Sequence, residues 1–144
     1  MESISPHISY SEATLSDTAK RLGIPNIPNE EHLARMRILA ERVFEPLRQH
    51  FGVPIYISSF FRSSALNASV GGSTSSQHVL GEAMDLDAEK FGGITNKEIF
   101  EFIKNNLEFN QLIWEGGTSD EPDWIHVSYT NRYPNRKQIL VIKK

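Results

Sequence analysis

The 144-residue chain contains no cysteine. That removes disulfide bridges and thiolate metal ligands, so any bound metal has to be held by histidine and carboxylate. Long apolar runs are missing as well. None approaches the length needed to cross a bilayer, and the opening MESISPHISYSEATL has neither the basic start nor the apolar stretch of an export signal. An excess of positive charge is also lacking: the formal net charge is -3, which gives no electrostatic basis for holding a polyanion. The tail NRYPNRKQILVIKK is locally basic and reads as a solvated edge. Internal repeats are absent. What remains is the expectation of one ordinary domain over residues 1–144, long enough to bury a core without covalent staples, with no nucleic-acid or membrane partner.

What the sequence does contain is a run of helices followed mostly by strands. Ser9 and Glu12 have capping-box spacing, and Leu15, Ala19 and Leu22 recur helically until Gly23 and Pro25 stop them. Asn29 is placed to cap a longer helix with a stripe of Leu33, Met36, Ala40, Val43, Phe44 and Leu47. Pro46 should kink that helix or mark its last turn. VPIYISSFFRS reads as a strand leading to Arg62, and the polar stretch Ser63 to Gln77 as a loop. In EAMDLD, Met84 and Leu86 should face the core, with Ala83, Asp85 and Asp87 on the other side. Thr95 to Glu98 repeats the capping-box spacing, ahead of Ile99, Phe102, Ile103 and Leu107. FNQLIW, DWIHVSY and QILVIKK read as strands, the last at an edge because of its lysines. The pattern predicts an α+β fold.

Within SSQHVLGEAMDLD, His78 and Asp85 pose a geometric problem. Seven steps along a helix climb about 10 Å, and along a strand they span roughly 23 Å and end on opposite faces. Gly81 lies between them and allows the chain to fold back, so a loop ending in a strand would let the two side chains converge. In PDWIHVSY, alternation puts Trp124, His126 and Ser128 on one face and Ile125, Val127 and Tyr129 on the other. His78, Asp85 and His126 are suited to zinc, and three protein ligands leave a fourth position open for water. A hydrogen-bonded histidine and a turn-forming aspartate are the plain alternatives.

SQHVLGEAMDLD followed by DWIHVS resembles the paired signatures of the zinc D-alanyl-D-alanine carboxypeptidase family. That family includes phage L-alanyl-D-glutamate endolysins and vancomycin-resistance dipeptidases, and shares its fold with the hedgehog signalling domain. Ser76, His78, Gly81, Ala83, Asp85, Asp123 and His126 match its pattern position by position. The N-terminal helices and the strand before Arg62 are similar to the bacterial and phage branch. The resemblance implies N-terminal helices packed on a mainly antiparallel sheet that carries one zinc per chain, held by His78, Asp85 and His126.

It also implies roles for other residues. Asp123 matches the general base that serves a zinc-activated water, although many members have glutamate there. Glu115, Asp120 and Glu121 are the other acidic candidates of the same loop, and shaping the turn after Pro122 is the alternative role for Asp123. Arg62 matches the arginine that polarises the scissile carbonyl. Ser76 matches a residue that binds substrate, and Trp124 is placed as a pocket wall. Asp87 is either a partner of a ligand imidazole or a solvated strand end; His7, His32 and His50 match no motif. The implied activity is hydrolysis of a peptide bond in the peptidoglycan stem peptide, as a D,D-carboxypeptidase or an L,D-endopeptidase of endolysin type, by a monomer. With no leader apparent, the expectation is a phage-type lysin made in the cytoplasm or an exported protein trimmed of its leader. The alternative from another class is a non-catalytic zinc-containing module that binds cell wall or protein.

Overall fold

The chain enters its fold through three capped helical starts. A computed structural model describes residues 3–143; Met1, Glu2 and Lys144 lie outside them. Ser9 accepts from the Glu12 N–H and Glu12 reaches back to the Ser9 N–H, starting helix α1 over Tyr10–Thr14. The expected single first helix is in fact two, because Ser16 caps a second, α2, over Asp17–Leu22. The break turns Leu15 and Leu22 outward, and only Ala19 of the predicted stripe is buried. Asn29 caps α3 over Glu30–Leu39 as expected, with His32 completing the box.

Pro46 does not end that helix. A π-helical turn over Ala40–Phe44 absorbs the missing N–H, and the helix runs on as α4 over Glu45–Phe51. Its stripe behaves as predicted, with Met36, Ala40, Val43, Phe44 and Leu47 fully buried.

The strands are β1 (Tyr56–Ser59), β2 (Ala83–Asp87), β3 (Gln111–Glu115), β4 (Trp124–Ser128) and β5 (Gln138–Ile142). They form one sheet in the order β1-β2-β4-β3-β5, with every pairing antiparallel except β3 with β5. This is the predicted α+β, mainly antiparallel architecture, and β5 lies at an edge as expected. Stretch Ser63 to Gln77 is not simply a loop: Ser63 caps a helix, α5, over Ser64–Ser69. The second capping box starts α6 over Asn96–Asn106, whose Ile99 and Ile103 are fully buried. Among the described residues no helix is long and apolar enough to cross a membrane.

Alternation divides the sheet. Met84 and Leu86 on β2, Leu112 and Trp114 on β3, and Ile125 and Val127 on β4 join the helices in one apolar core. The residues between them, Asp85 and His126 included, face away from that core.

Candidate metal centre

Asp85 and His126 sit directly opposite each other in the β2–β4 ladder, so strand register alone brings their side chains together. His78 arrives by a different route. A one-turn 3-10 helix over Gln77–Leu80 carries it, with Ser76 as the cap accepting from the His78 N–H, and Gly81 ends the turn in the left-handed region at φ 81°. A Cβ at Gly81 would also stand 2.8 Å from the His32 carbonyl oxygen of α3. Glycine there both turns the chain and lets it pass close under the helix, which answers how His78 and Asp85 can meet.

Each ligand atom is aimed. The buried His78 ring places Nδ1 2.7 Å from the Phe60 carbonyl oxygen. A carbonyl only accepts, so Nδ1 carries the proton and Nε2 presents its lone pair to the site. That Nε2 is buried and has no hydrogen-bond partner among the described residues. It lies 3.3 Å from Asp85 Oδ1, and His126 Nδ1 lies 3.0 Å from the same oxygen. Two acceptors facing each other at the His78–Asp85 contact is an arrangement that a cation between them resolves.

The three ligand atoms lie within 4.8 Å of one another. Ligands about 2.0–2.2 Å from a tetrahedral zinc are roughly 3.3–3.6 Å apart, and the His78–Asp85 and His126–Asp85 separations of 3.3 and 3.0 Å lie near that spacing. Burial works against the Asp85 carboxylate, but the two imidazoles around it, with the His126 Nδ1 hydrogen bond among their contributions, outweigh that. They hold the group far below the usual carboxylate range.

Around this centre lies a cavity of about 850 Å³. Arg62, Ser76 and Trp124, all named from the sequence, line it together with the three ligands. Arg62 is braced from two sides, by Ser59 Oγ at 3.2 Å and Asn67 Oδ1 at 3.3 Å, with Nη2 3.5 Å from Asp85 Oδ2. Asn67 is itself buried and further tied to the Ser73 carbonyl, so the guanidinium has a fixed mount.

Asp123 is placed differently. It is exposed and is not among the residues lining the cavity. Its N–H bonds to the Glu115 carbonyl, its own carbonyl accepts from Asn96 Nδ2, and its carboxylate lies over Gly116. Glu115 is the acidic side chain that the β3–β4 corner turns into the cavity. Its Cα pairs with Trp124, one step along the ladder face from the Ile113–His126 pair. Of the other acidic residues, Glu121 caps α6 through the Lys97 N–H. Asp87 caps the turn at Ala88–Lys90 and bonds Asn96, touching neither ligand imidazole. His7 pairs with Glu45, and His32 and His50 pack against aromatic rings.

The basic tail is exposed as expected, and it does one thing more. Its exposed Arg132 and Arg136, with Tyr133, also line the same cavity. A charge run carried no signal of this, because the arginines reach the cleft only through the turn after β4.

Fold and site together define an α+β domain that brings a His/Asp/His group able to hold a metal ion to one face of its sheet. A family model described as Peptidase M15 matches residues 6–128, and the chain belongs to that family, the zinc D-alanyl-D-alanine carboxypeptidase family of peptidases. No curated protein matches the chain.

Proposed function

We propose that the protein is a zinc metallopeptidase that hydrolyses a peptide bond in the peptidoglycan stem peptide, with zinc held by His78 Nε2, an Asp85 carboxylate oxygen and His126 Nδ1. The observation that carries this reading is the orphaned, preset Nε2 of His78 facing Asp85 and His126 in the cavity. When bound there, zinc supplies Lewis-acid polarisation and lowers the pKa of a coordinated water from 15.7 to about 7.

The remaining steps belong to this chain's own side chains. Arg62 stands beside the ligand carboxylate, where it can hold the scissile carbonyl and the negative charge that grows on its oxygen, a contribution of about 3–4 kcal/mol for one well-placed donor. The proton taken from the attacking water is assigned to Glu115, which passes it to the leaving amine. The linear motif points instead to Asp123, but a base has to reach the reacting water, and Glu115 is the residue on the cavity face. The Ser76 hydroxyl accepts from the His78 N–H and keeps its own hydrogen for a substrate carbonyl. Trp124 forms a wall against which a side chain can pack.

The test is to incubate zinc-loaded protein with purified peptidoglycan and, separately, with a peptide ending in D-alanyl-D-alanine, and to identify fragments by mass spectrometry. Release of stem-peptide fragments from the wall supports an endopeptidase; loss of the terminal alanine supports a carboxypeptidase. One zinc per chain with neither substrate cut would overturn the peptidase reading in favour of a binding module.

A further inference from the structure

Two buried polar side chains on this domain have no part in the metal centre, and both hold an arginine from behind. Glu82, fully buried, accepts from Arg132 Nη2 at 2.7 Å and Nε at 3.0 Å, from Thr130 Oγ1 at 2.8 Å and from Gln77 Nε2 at 3.2 Å. Asn110, also fully buried, accepts at Oδ1 from Arg136 Nε at 3.2 Å and from the Arg136 N–H at 3.3 Å. Gln77 joins the two, because its Oε1 accepts from Asn110 Nδ2 at 3.2 Å. The continuous chain Arg132–Glu82–Gln77–Asn110–Arg136 therefore runs through the residue next to the ligand His78. Burying a carboxylate is costly unless it is fully paired, and here the return is orientation of groups at the cavity wall.

Charge separates the two arginines. Arg132 is neutralised by Glu82 and lies over the Tyr133 ring at 5.3 Å. Among the described residues the Arg136 side chain bonds only a neutral amide, through Nε, one of the five donors of a guanidinium. It is a fixed positive charge on the wall of the cleft that contains the metal centre. Residues 130–136 lie beyond residues 6–128, so the family match says nothing of this wall.

We infer that Arg136, mounted on Asn110 beside the Arg132–Tyr133 pair, is a carboxylate-binding subsite of the cleft and engages a carboxylate of the peptide substrate away from the bond that is cut. The inference rests on the peptide-substrate reading above, and its ligand has two sources: the C-terminal carboxylate of the stem peptide or the carboxylate carried within it by an isoglutamyl residue.

The test uses a stem tetrapeptide with both carboxylates free and two versions, each amidated at one of them, titrated calorimetrically into the zinc-loaded protein. One amidated version should bind about 10- to 100-fold more weakly than the parent, the range for a lost hydrogen bond to a charged group. Which one it is names the source. Arg136→Ala should weaken the parent by a similar factor, leave the already weak amide unchanged and raise KM more than it lowers kcat; Arg136→Lys should recover part of the loss. Equal binding of all three peptides by the unsubstituted protein overturns the subsite, with no variant needed. Equal binding of the parent by Arg136→Ala with an unchanged melting temperature overturns it as well. Discrimination between the peptides without cleavage of any leaves the subsite standing and removes the peptidase assignment instead.

Discussion

The two faces of β2 and β4 do opposite jobs within ten residues. On one face Met84, Leu86, Ile125 and Val127 are fully buried against the helices. On the other, Asp85 and His126 meet across the same ladder. Asp85 and His126, two of the three candidate ligands, therefore each stand between two core residues that fix their backbones. Because the two faces alternate along the same strands, substitutions on one and on the other should separate metal binding from stability.

His126→Ala breaks the polar face alone and has the largest expected effect. It should abolish measurable turnover and lower zinc content well below one per chain, read by mass spectrometry under native conditions. Circular dichroism of the metal-free protein should be unchanged, because Ile125 and Val127 keep their packing. A variant that still holds one zinc at ordinary affinity would remove His126 from the ligand set.

Glu115→Gln tests the next strand along the same face. It should retain zinc and lower kcat by about 10²–10⁴, the range for a general acid–base. Asp123→Asn should lower kcat by less than about tenfold. The reverse order returns the base to Asp123 and shows that the turn rearranges when substrate binds.

Leu86→Ala breaks the apolar face alone. Removing a fully buried leucine should lower unfolding free energy in urea by about 2–5 kcal/mol, while the folded fraction binds zinc nearly as before. Zinc affinity that collapses along with stability would show that the two faces are not separable.

Much of this was legible in the sequence because it is written in short-range patterns. The Ser9 and Thr95 capping boxes, the alternation of Met84 and Leu86 around Asp85, and the edge placement of β5 need only spacing and residue type. Helix α5 escaped because Ser-Ala-Leu-Asn-Ala-Ser has little apolar contrast, and its cap, Ser63, looks like another loop serine. The break at Ser16 escaped because Leu15, Ala19 and Leu22 keep helical spacing across it. Glu115 was named from the sequence only as an alternative to Asp123, alongside Asp120 and Glu121. Counting back from His126 reaches Asp123, whereas the cavity face is set by register, which places Glu115 opposite Trp124. Arg132 and Arg136 escaped for the same reason: their partners Glu82 and Asn110 lie far away in sequence, so only the folded chain shows which charges are mounted and which are solvated.

The smallest expected effect belongs to Glu82, which ties β2 to the segment after β4. Burial raises its pKa, but hydrogen bonds from Arg132, Thr130 and Gln77 and the Arg132 charge outweigh that, and the carboxyl is held below its ordinary value of 4.5. A depressed folded-state pKa means that the stabilisation is fully present above pH 4.5 and is lost as pH falls through the lower folded value. The Arg132 side chain is 44 % exposed, so solvent screens the pair, and its contribution is about 1 kcal/mol. Urea unfolding of the protein and of Glu82→Gln should therefore differ most near neutral pH and converge on acidification. Asp85 is depressed in the same direction and contributes to both curves, so the difference between them isolates Glu82. A difference that stays constant down to pH 3 would mean that the Glu82 network holds its arginine through shape and neutral hydrogen bonds, with the ion pair adding nothing to the fold.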